Sequence, residues 1–383
     1  MRAAQTNSNR GQIARSPSVP AQSGRRDVQG NPVHALLSYA ETFFGQRSCL
    51  LVQAHTARGL GSEFVARVLE AAFRQLDNGP LTSAIIDGWP GDTGSAALAL
   101  RLNAGFHAVA RSGVSEVLMG LYTNKHERFD EAIAGALQRH DEQIASALRH
   151  PTQTNEVGRT AAIFAALARL ATLTGMPCEL LELGSSSGLN LNLARYGYRL
   201  GDLALGDRTS PLQLMPEWLG RSPPAAPVTI EEARGVDLNP LDPTDPETAN
   251  RLMSFVFADQ PARLARLSLA LAMAQTAPPR VERSNALPWL VERLAIPQRE
   301  GLCRVIFHSM VLQYFPAEER AATLKIIERA GLRATEAQPI AHIGFEWTAE
   351  RSEVQLSLRV WPWNYTKVLA ICHPYGDWIR WLD

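Results

Sequence analysis

Apolar residues in the first half of the chain recur with the period of an α-helix. Over 127–149 they mark one helix face, at Phe129, Ile133, Ala136, Leu137, His140, Ile144 and Leu148. Segments 60–77, 93–120 and 156–174 have a similar pattern, and no convincing strand pattern occurs among them. The first half therefore predicts a helical N-terminal cap region over 32–175.

After this region the pattern changes to short apolar runs that are typical of buried strands. The runs occupy 177–184, 303–307, 340–345, 354–360 and 367–372. Helical patterns separate the earlier runs, at 246–276, 287–295 and 317–330. Strands that alternate with helices predict a parallel sheet, and the closely spaced last strands predict antiparallel pairing at its end. The pattern thus predicts an α/β domain over 176–383, with a proline-rich, irregular insertion near 199–230.

Composition narrows the class of protein. Of the 383 residues, 45% are apolar and 20% are charged, which is typical of a globular chain. The 38 basic and 38 acidic residues cancel, so we expect no attraction to nucleic acid or to an anionic membrane. Residues 1–31 hold five arginines, one acid and no periodicity, which predicts a disordered tail.

Cysteine usage and hydropathy favour a cytoplasmic protein. The four cysteines lie far apart in the sequence, without the spacing of a zinc site or a dense disulfide scaffold. The polar N-terminus has no apolar segment of a secretory signal, and Arg169 interrupts the longest apolar run, near 161–173. We therefore expect no membrane span and no metal dependence. The oligomeric state is left open.

The most informative segment is a glycine- and serine-rich turn after the first predicted strand. It reads Leu-Leu-Glu-Leu-Gly-Ser-Ser-Ser-Gly-Leu-Asn over 180–190. A strand that ends in such a turn and opens a helix directs backbone N–H groups toward a polar or anionic ligand. Glycine permits the close approach and the positive φ that this geometry requires.

Two enzyme classes use a turn of this kind. Class I S-adenosylmethionine-dependent methyltransferases have an acid-x-Gly-x-x-x-Gly pattern, which Glu182, Gly184 and Gly188 match. The nucleophile elbow of α/β-hydrolases, G-x-S-x-G, is matched with Ser186 as the nucleophile, and His373 is a candidate base. The elbow of a hydrolase follows several strands, whereas this turn follows the first one. The order of the elements therefore favours the methyltransferase type.

Further motifs identify a family. They are Gln-Thr-Asn-Glu-Val-Gly-Arg at 153–159, Gly-Val-Asp-Leu-Asn-Pro-Leu-Asp at 235–242, Phe-His-Ser-Met-Val-Leu-Gln-Tyr at 307–314 and His-Pro-Tyr-Gly at 373–376. With the glycine turn, these motifs resemble a bacterial family known as domain of unknown function 2332, over nearly all of 33–383. The resemblance implies a Rossmann-like sheet of the class I methyltransferase type, mostly parallel with an antiparallel C-terminal strand.

This type of fold implies a set of cofactor contacts. The candidates for binding S-adenosylmethionine are Glu182, Gly184, Ser185, Ser186, Gly188, Asn190, Asp237 and Asn285. Asp237 lies 49 residues after Gly188, whereas an acid that binds ribose hydroxyls usually follows about 20 residues on. Where many such proteins have an acid after the third strand, this chain has Asn285, whose carbonyl oxygen can accept from an adenine amino group.

Other residues are candidates for contact with a substrate. His308 follows a buried strand and is a candidate general base, with Tyr314 as a pocket residue; structural packing is the alternative for both. Asn155, Glu156 and Arg159 lie along one helix edge and are candidate substrate-binding residues, or helix-capping residues.

The sequence therefore leaves three functions open. The first is an S-adenosylmethionine-dependent methyltransferase that acts on a small-molecule acceptor. The second is a non-catalytic ligand-binding module on the same fold, since fold alone does not determine function. The third is a serine hydrolase that uses Ser186.

Overall fold

The computed structural model describes residues 45–383, so the tail predicted over 1–31 lies outside the described residues. A helical region comes first. Its helices are α1 (Ser48–Gly59), α2 (Glu63–Gln75), α3 (Pro80–Asp87), α4 (Leu98–Ser112), α5 (Glu116–Tyr122), α6 (Phe129–Leu148) and α7 (Thr160–Thr174). Helices α1 to α6 share one apolar core, which confirms the predicted helical N-terminal region.

The strands and the remaining helices follow. The strands are β1 (Cys178–Leu183), β2 (Gly197–Leu200), β3 (Leu203–Gly206), β4 (Gln213–Leu214), β5 (Glu217–Leu219), β6 (Ile230–Asp237), β7 (Val281–Arg283), β8 (Cys303–Ser309), β9 (Ile340–Trp347), β10 (Val354–Trp361), β11 (Tyr365–Cys372) and β12 (Trp378–Trp381). The helices among them are α8 (Pro246–Phe255), α9 (Pro261–Thr276), α10 (Ala286–Ala295) and α11 (Ala317–Gly331). The pattern predicted one helical stretch over 246–276, and the structure divides it into α8 and α9.

Within the described residues, nine strands form one mixed sheet in the order β5-β12-β11-β10-β9-β8-β1-β6-β7. The neighbours from β7 to β9 pair in parallel. Strands β9 to β12 then pair antiparallel, and β5 pairs in parallel with β12. The predicted α/β class, with a mostly parallel mixed sheet, is confirmed.

The proline-rich insertion differs from the expectation of irregular structure. Strands β2, β3 and β4 form a small separate sheet, and β5 completes the edge of the large one. Tyr196 and Tyr198 anchor this segment, since both rings are buried and their hydroxyls donate to the carbonyls of Leu189 and Leu193. Each strand has only two to four residues, too few for a visible periodic pattern.

The large sheet has two covered faces. On one face Leu180, Phe307 and Ile343 share a core with α7 and α9. On the other face Leu183, Ile306 and Ile340 share a core with α10 and α11. Successive side chains of a strand point to opposite faces, so these two cores fix the face of each neighbouring residue.

Helix α7 is the most apolar element of the fold. The stretch Val157–Thr174 is long and apolar enough to cross a membrane by length and composition, and 67% of it is buried inside the protein. It packs against the large sheet through residues such as Ile163, Leu167 and Leu170. A central core helix accounts for this composition.

Candidate functional site

The polar residues singled out in the sequence meet at the carboxyl ends of the parallel strands. In the register of the sheet, Leu183 of β1 lies between Val236 of β6 and His308 of β8. The chain continues from β1 to β6 and β7 on one side, and then to β8 and β9 on the other. The strand order thus reverses between β1 and β8, where open α/β sheets place their ligands.

The glycine turn uses most of its backbone N–H groups inside the protein. The amides of Gly184 and Ser185 donate to the carbonyl of Val236, and the amide of Gly188 donates to Ser185. The amide of Ser186 donates to Asp237 Oδ2 at 2.8 Å. The amide of Leu189 donates to Asn155 Oδ1 at 2.8 Å. The prediction that these N–H groups point toward a ligand is therefore wrong, because neighbouring carbonyls and side chains accept their hydrogen bonds.

Close packing explains the two glycines of the turn. Gly184 has a φ of 71°, and a Cβ at this position would lie 2.2 Å from Val311 Cγ2. Gly188 has a φ of 74°, and its Cβ would lie 2.6 Å from Val281 Cγ2. The turn leads into a helix, as expected, and this helix is a 3-10 helix, Leu189–Arg195. Both glycines thus permit a left-handed backbone against neighbouring side chains.

Glu182 and Asn190 form a buried polar pair beneath this turn. Glu182 is 1% exposed, and its Oε1 accepts from Asn190 Nδ2 at 3.2 Å. Neither Glu182 Oε2 nor Asn190 Oδ1 has a hydrogen-bond partner within residues 45–383. Burial raises the pKa of Glu182 to about 8, so the carboxyl is mostly protonated at neutral pH. Buried polar atoms nearly always have partners, so this pair is an exception that calls for an explanation.

Ser186 adopts a left-handed backbone with a φ of 55°. Its Oγ is buried, and no described residue bonds to it. His373 Nδ1 lies 3.1 Å from Asp377 Oδ2. A nucleophilic serine requires a base within hydrogen-bond reach, and the described residues place no such base at Ser186. This geometry does not favour the hydrolase.

Asp237 ends β6 and Asn285 follows β7, the next two strands of the sheet after β1, as expected. Asp237 Oδ1 accepts from the amide of Asn239 at 2.8 Å, in addition to the bond that its Oδ2 accepts from Ser186. Asn285 Oδ1 caps α10 by accepting from the amide of Leu287 at 2.8 Å. Each oxygen thus has one bond within the protein, and a carboxylate or amide oxygen can accept a second.

Asn155 lies at the glycine turn. In addition to the amide of Leu189, its Oδ1 accepts from Ser187 Oγ at 2.8 Å. Asn155 is 6% exposed, so it holds the turn in place from inside the fold. The structure thus brings together Asn155 and the turn, which are separated by some 30 residues in the sequence.

Glu156 belongs to a buried ion pair. It lies 2.7 Å from Arg263 of α9, and the two side chains are 5% and 8% exposed. Glu156 also caps the turn that follows it, since its Oε1 accepts from the amide of Gly158. The guanidinium of Arg263 stacks 3.7 Å from the centroid of the Tyr375 ring. Glu156 therefore joins three segments of the chain, and its contacts are structural.

Arg159 bridges the end of β8 and the C-terminal loop. It donates to the carbonyl of Pro374 at 2.9 Å and to the carbonyl of Ser309 at 3.3 Å. Burial lowers its pKa from the usual value. Arg159 lies on the same side of the sheet as Glu182, so it remains at the candidate site.

His308 lies on the other face of the sheet. Phe307 belongs to the core with α7, whereas Ile306 belongs to the core with α10, so the His308 side chain points toward α10 and α11. Glu182 points toward α7, because Leu181 and Leu183 on either side of it belong to the core with α10. The structure therefore does not bring His308 to Glu182, and His308 is not placed to act as a base there. Tyr314 is 78% exposed, so it does not line a buried pocket.

Residues that the sequence analysis missed surround His308. Its Nδ1 lies 2.7 Å from Glu346 Oε1, and its Nε2 lies 2.9 Å from His342 Nε2. Glu346 also accepts from the amides of Val311 and Leu312. Burial lowers the pKa of His342 to about 3, so this ring is neutral. Residues 342, 344 and 346 share one face of β9, because side chains alternate along a strand. This spacing was the sequence signal that could have identified them.

Comparison with protein families agrees with the motifs. A family described as an uncharacterized protein conserved in bacteria (DUF2332) matches residues 47–381. The chain is thus an α/β protein with a polar site at the carboxyl edge of its sheet, and it belongs to the DUF2332 family. No curated protein matches the chain.

Proposed function

We propose that the protein is an S-adenosylmethionine-dependent methyltransferase, with its cofactor held on the α7 side of the carboxyl edge near Glu182. The arrangement of strands supports this proposal. Among the five strands that pair in parallel from β7 to β9, β1 lies in the middle, with β6 and β7 on one side and β8 and β9 on the other. A Rossmann-like methyltransferase sheet would have this strand order, with a glycine turn after its first strand, and this agreement supports the proposal.

The observation that carries the proposal is the unpartnered oxygen of Glu182. A buried carboxyl with a free Oε2 suits a ligand that brings a hydrogen-bond donor or a positive charge. S-adenosylmethionine has an ammonium and a sulfonium, and either would favour the ionised form of Glu182. Asn190 Oδ1 and Ser186 Oγ are two further buried acceptors that lack a partner among the described residues.

The remaining cofactor residues fit the rest of such a ligand. Asp237 and Asn285 follow the second and third strands at the same edge, where they suit ribose hydroxyls and an adenine amino group. S-adenosylmethionine supplies an electrophilic methyl group when bound. The residues of this chain would act by orienting the methyl acceptor and excluding water. We propose a small molecule as the acceptor, since the chain has no net charge.

Access to Glu182 requires movement. The side chain is 1% exposed, so the residues that cover it must shift before a ligand reaches its Oε2. We therefore expect ligand binding to change amide hydrogen exchange in the turn 184–188 and in the segment 309–314 that packs on it.

Calorimetric titration with S-adenosylmethionine and S-adenosylhomocysteine tests the proposal. Because the pKa of Glu182 is about 8 in the protein without ligand, binding of the cationic cofactor should release a proton below pH 8. Titrations in buffers of different ionisation enthalpy measure this proton. Glu182→Gln should abolish the release, whereas the exposed control Glu142→Gln should retain it.

The outcomes separate the candidate functions. No binding at millimolar ligand contradicts the methyltransferase proposal. Binding without methyl transfer to any component of a cell extract favours the non-catalytic module. Labelling of Ser186 by a fluorophosphonate would favour the hydrolase, and we expect none because no described base contacts Ser186 Oγ.

A further inference from the structure

A cavity of about 550 Å³ lies on the face of the sheet opposite Glu182. One wall is a single side of α11, with residues spaced by three and four positions. The other wall consists of β9 and β10. The lining residues are Ala321, Leu324, Lys325, Ile327, Glu328, His342, Arg359 and Trp361.

The polar lining of this cavity is rich in donors. Lys325 and Arg359 are cations, and Glu328 is the single acid among the lining residues. Arg359 donates to Glu328 at 3.1 Å through Nη2, but its Nε has no partner in the described part of the chain. The cavity therefore has an excess of positive charge and an unused guanidinium donor.

Trp361 provides a second, independent donor at this cavity. Its side chain is 4% exposed, and its indole Nε1 has no hydrogen-bond partner across residues 45–383. An indole nitrogen only donates, so it can be satisfied only by an acceptor. The guanidinium of Arg359 lies 4.4 Å from the centroid of the Trp361 ring, so the two residues with unused donors pack against each other.

The remaining lining is apolar. Ala321, Leu324 and Ile327 of α11 line the cavity together with the ring of Trp361. A bare inorganic anion would leave this surface without contacts, whereas an organic anion with an apolar body would cover it. The planar guanidinium matches the planar carboxylate group.

From this arrangement we propose that the cavity between α11 and the β9–β10 face binds a small organic carboxylate, with its charged end at Arg359 and Lys325 and its apolar body against Leu324 and Trp361. The site is distinct from the proposed cofactor site, because Glu182 points to the opposite face of the sheet. The proposal does not depend on methyl transfer.

The cavity is connected to the strand edge through hydrogen bonds. His342 lines the cavity and bonds to His308, which bonds to Glu346. Glu346 holds the amides of Val311 and Leu312, and Val311 packs against Gly184 of the glycine turn. A bound carboxylate is thus in contact with a chain of side chains that ends at the turn.

Titration with benzoate, followed by two-dimensional NMR of the tryptophan indole groups, tests the proposal. Trp361→Phe identifies the Trp361 Nε1–H resonance and removes one donor. We expect a saturable shift of this resonance with benzoate in the millimolar range. Inorganic phosphate, in a parallel titration, distinguishes a carboxylate site with an apolar body from a general anion site.

Variants of the two cations locate the binding. Because hydrogen bonds to charged groups are the strong ones, Arg359→Met should weaken benzoate binding about tenfold or more. Lys325→Gln should weaken it several-fold, and the exposed residue Lys325 can be replaced without loss of core packing. The control Lys125→Met, an exposed lysine in the helical region, should leave the affinity unchanged.

Three results would overturn the proposal. The first is the absence of a saturable shift with benzoate at tens of millimolar. The second is unchanged benzoate affinity in both Arg359→Met and Lys325→Gln. The third is tighter binding of inorganic phosphate than of benzoate, which would assign the cavity to a different ligand class. None of these readouts requires S-adenosylmethionine, so failure of this proposal is distinguishable from failure of the proposed function.

Discussion

The two faces of the sheet hold buried polar clusters of opposite character. On the α7 face, Glu182 and Asn190 bond to each other, and Glu182 Oε2 and Asn190 Oδ1 have no further partner among residues 45–383. On the α11 face, both ring nitrogens of His308 have partners, and Glu346 Oε1 accepts from two amides in addition to His308. One cluster is incomplete, and the other is largely satisfied from within the protein.

This difference guides the assignment of function. In sequence, His308 has the stronger resemblance to a catalytic group, because histidine titrates near neutral pH. In the structure, the hydrogen bonds of His308 within a packed network are sufficient to explain its burial. The contacts of Glu182 do not explain its burial in this way, since burying a polar atom without a partner costs free energy. We therefore propose the incomplete cluster, and not His308, as the place where a ligand binds.

The largest expected effect concerns the ion pair beside the incomplete cluster. Arg263→Met leaves Glu156 buried without its main counter-charge, so it should lower the free energy of unfolding by about 3–5 kcal/mol. Urea denaturation at neutral pH measures this loss. As a control, Arg58→Met removes exposed pairs with Glu63 and Glu70 and should cost much less. Similar losses in both variants would contradict the structural role of Glu156.

The second effect concerns the glycine turn that separates the two clusters. Gly184→Ala places a methyl group against Val311 at a left-handed φ, so it should destabilise the protein by about 2–4 kcal/mol. Gly175→Ala is a matched control, because Gly175 has a φ of 64° and open space around its Cβ. Thermal unfolding should show a smaller loss there. Adding Val311→Ala to Gly184→Ala should restore part of the lost stability, and the absence of this rescue would argue against the contact.

The third effect is the pH dependence of Glu182. Its folded pKa of about 8 lies above the ordinary value, so its stabilising contribution is complete below about pH 4.5 and is lost as the pH rises through 8. The loss from this group is at most about 1.4 kcal/mol per pH unit. Glu182→Gln cannot ionise, so the variant should gain stability relative to the wild type between pH 5 and 8.5.

Denaturation series at several pH values measure this difference. The exposed control Glu142→Gln should give a difference from the wild type that does not vary with pH. A Glu182→Gln difference that is constant, or that falls with rising pH, would mean that Glu182 is not a buried neutral acid.

The smallest effect concerns the satisfied cluster. Glu346→Gln keeps an acceptor for His308 and for the two amides but removes the charge, so we expect a loss of about 1–2 kcal/mol. Nitrogen NMR of the His308 ring should show a shift of the Nδ1 resonance. Glu350→Gln, at an exposed position nearby, should change neither quantity. An unchanged His308 spectrum in Glu346→Gln would contradict this hydrogen bond.

Much of the fold was predictable because it depends on local periodicity. The apolar runs at 303–307 and 340–345 mark β8 and β9, and the helical spacing at 127–149 marks α6. The short strands of the insertion were not predictable. They have too few residues to establish a period, and long-range pairing stabilises them, as between β5 and β12.

For the candidate site, the sequence identified the strand ends but not the contacts. It placed Glu182, Asp237 and Asn285 at the carboxyl edge because Glu182 precedes the glycine turn and the other two follow the expected second and third strands. It did not predict that Asp237 and Asn155 would occupy the amides of the turn. These partners come from 30 to 50 residues away, and nothing local encodes which donor they reach.

By itself, the sequence determined the α/β class, the helical N-terminal region, the glycine turn and the family. Only the tertiary structure decided which polar residues share a face. The register that sets Leu183 beside His308 turns Glu182 and His308 to opposite sides of the sheet. A shift of one residue in this pairing would bring them to the same side, because side chains alternate along a strand. Register depends on the packing of the whole sheet, so only the tertiary structure determines which residues make up the site.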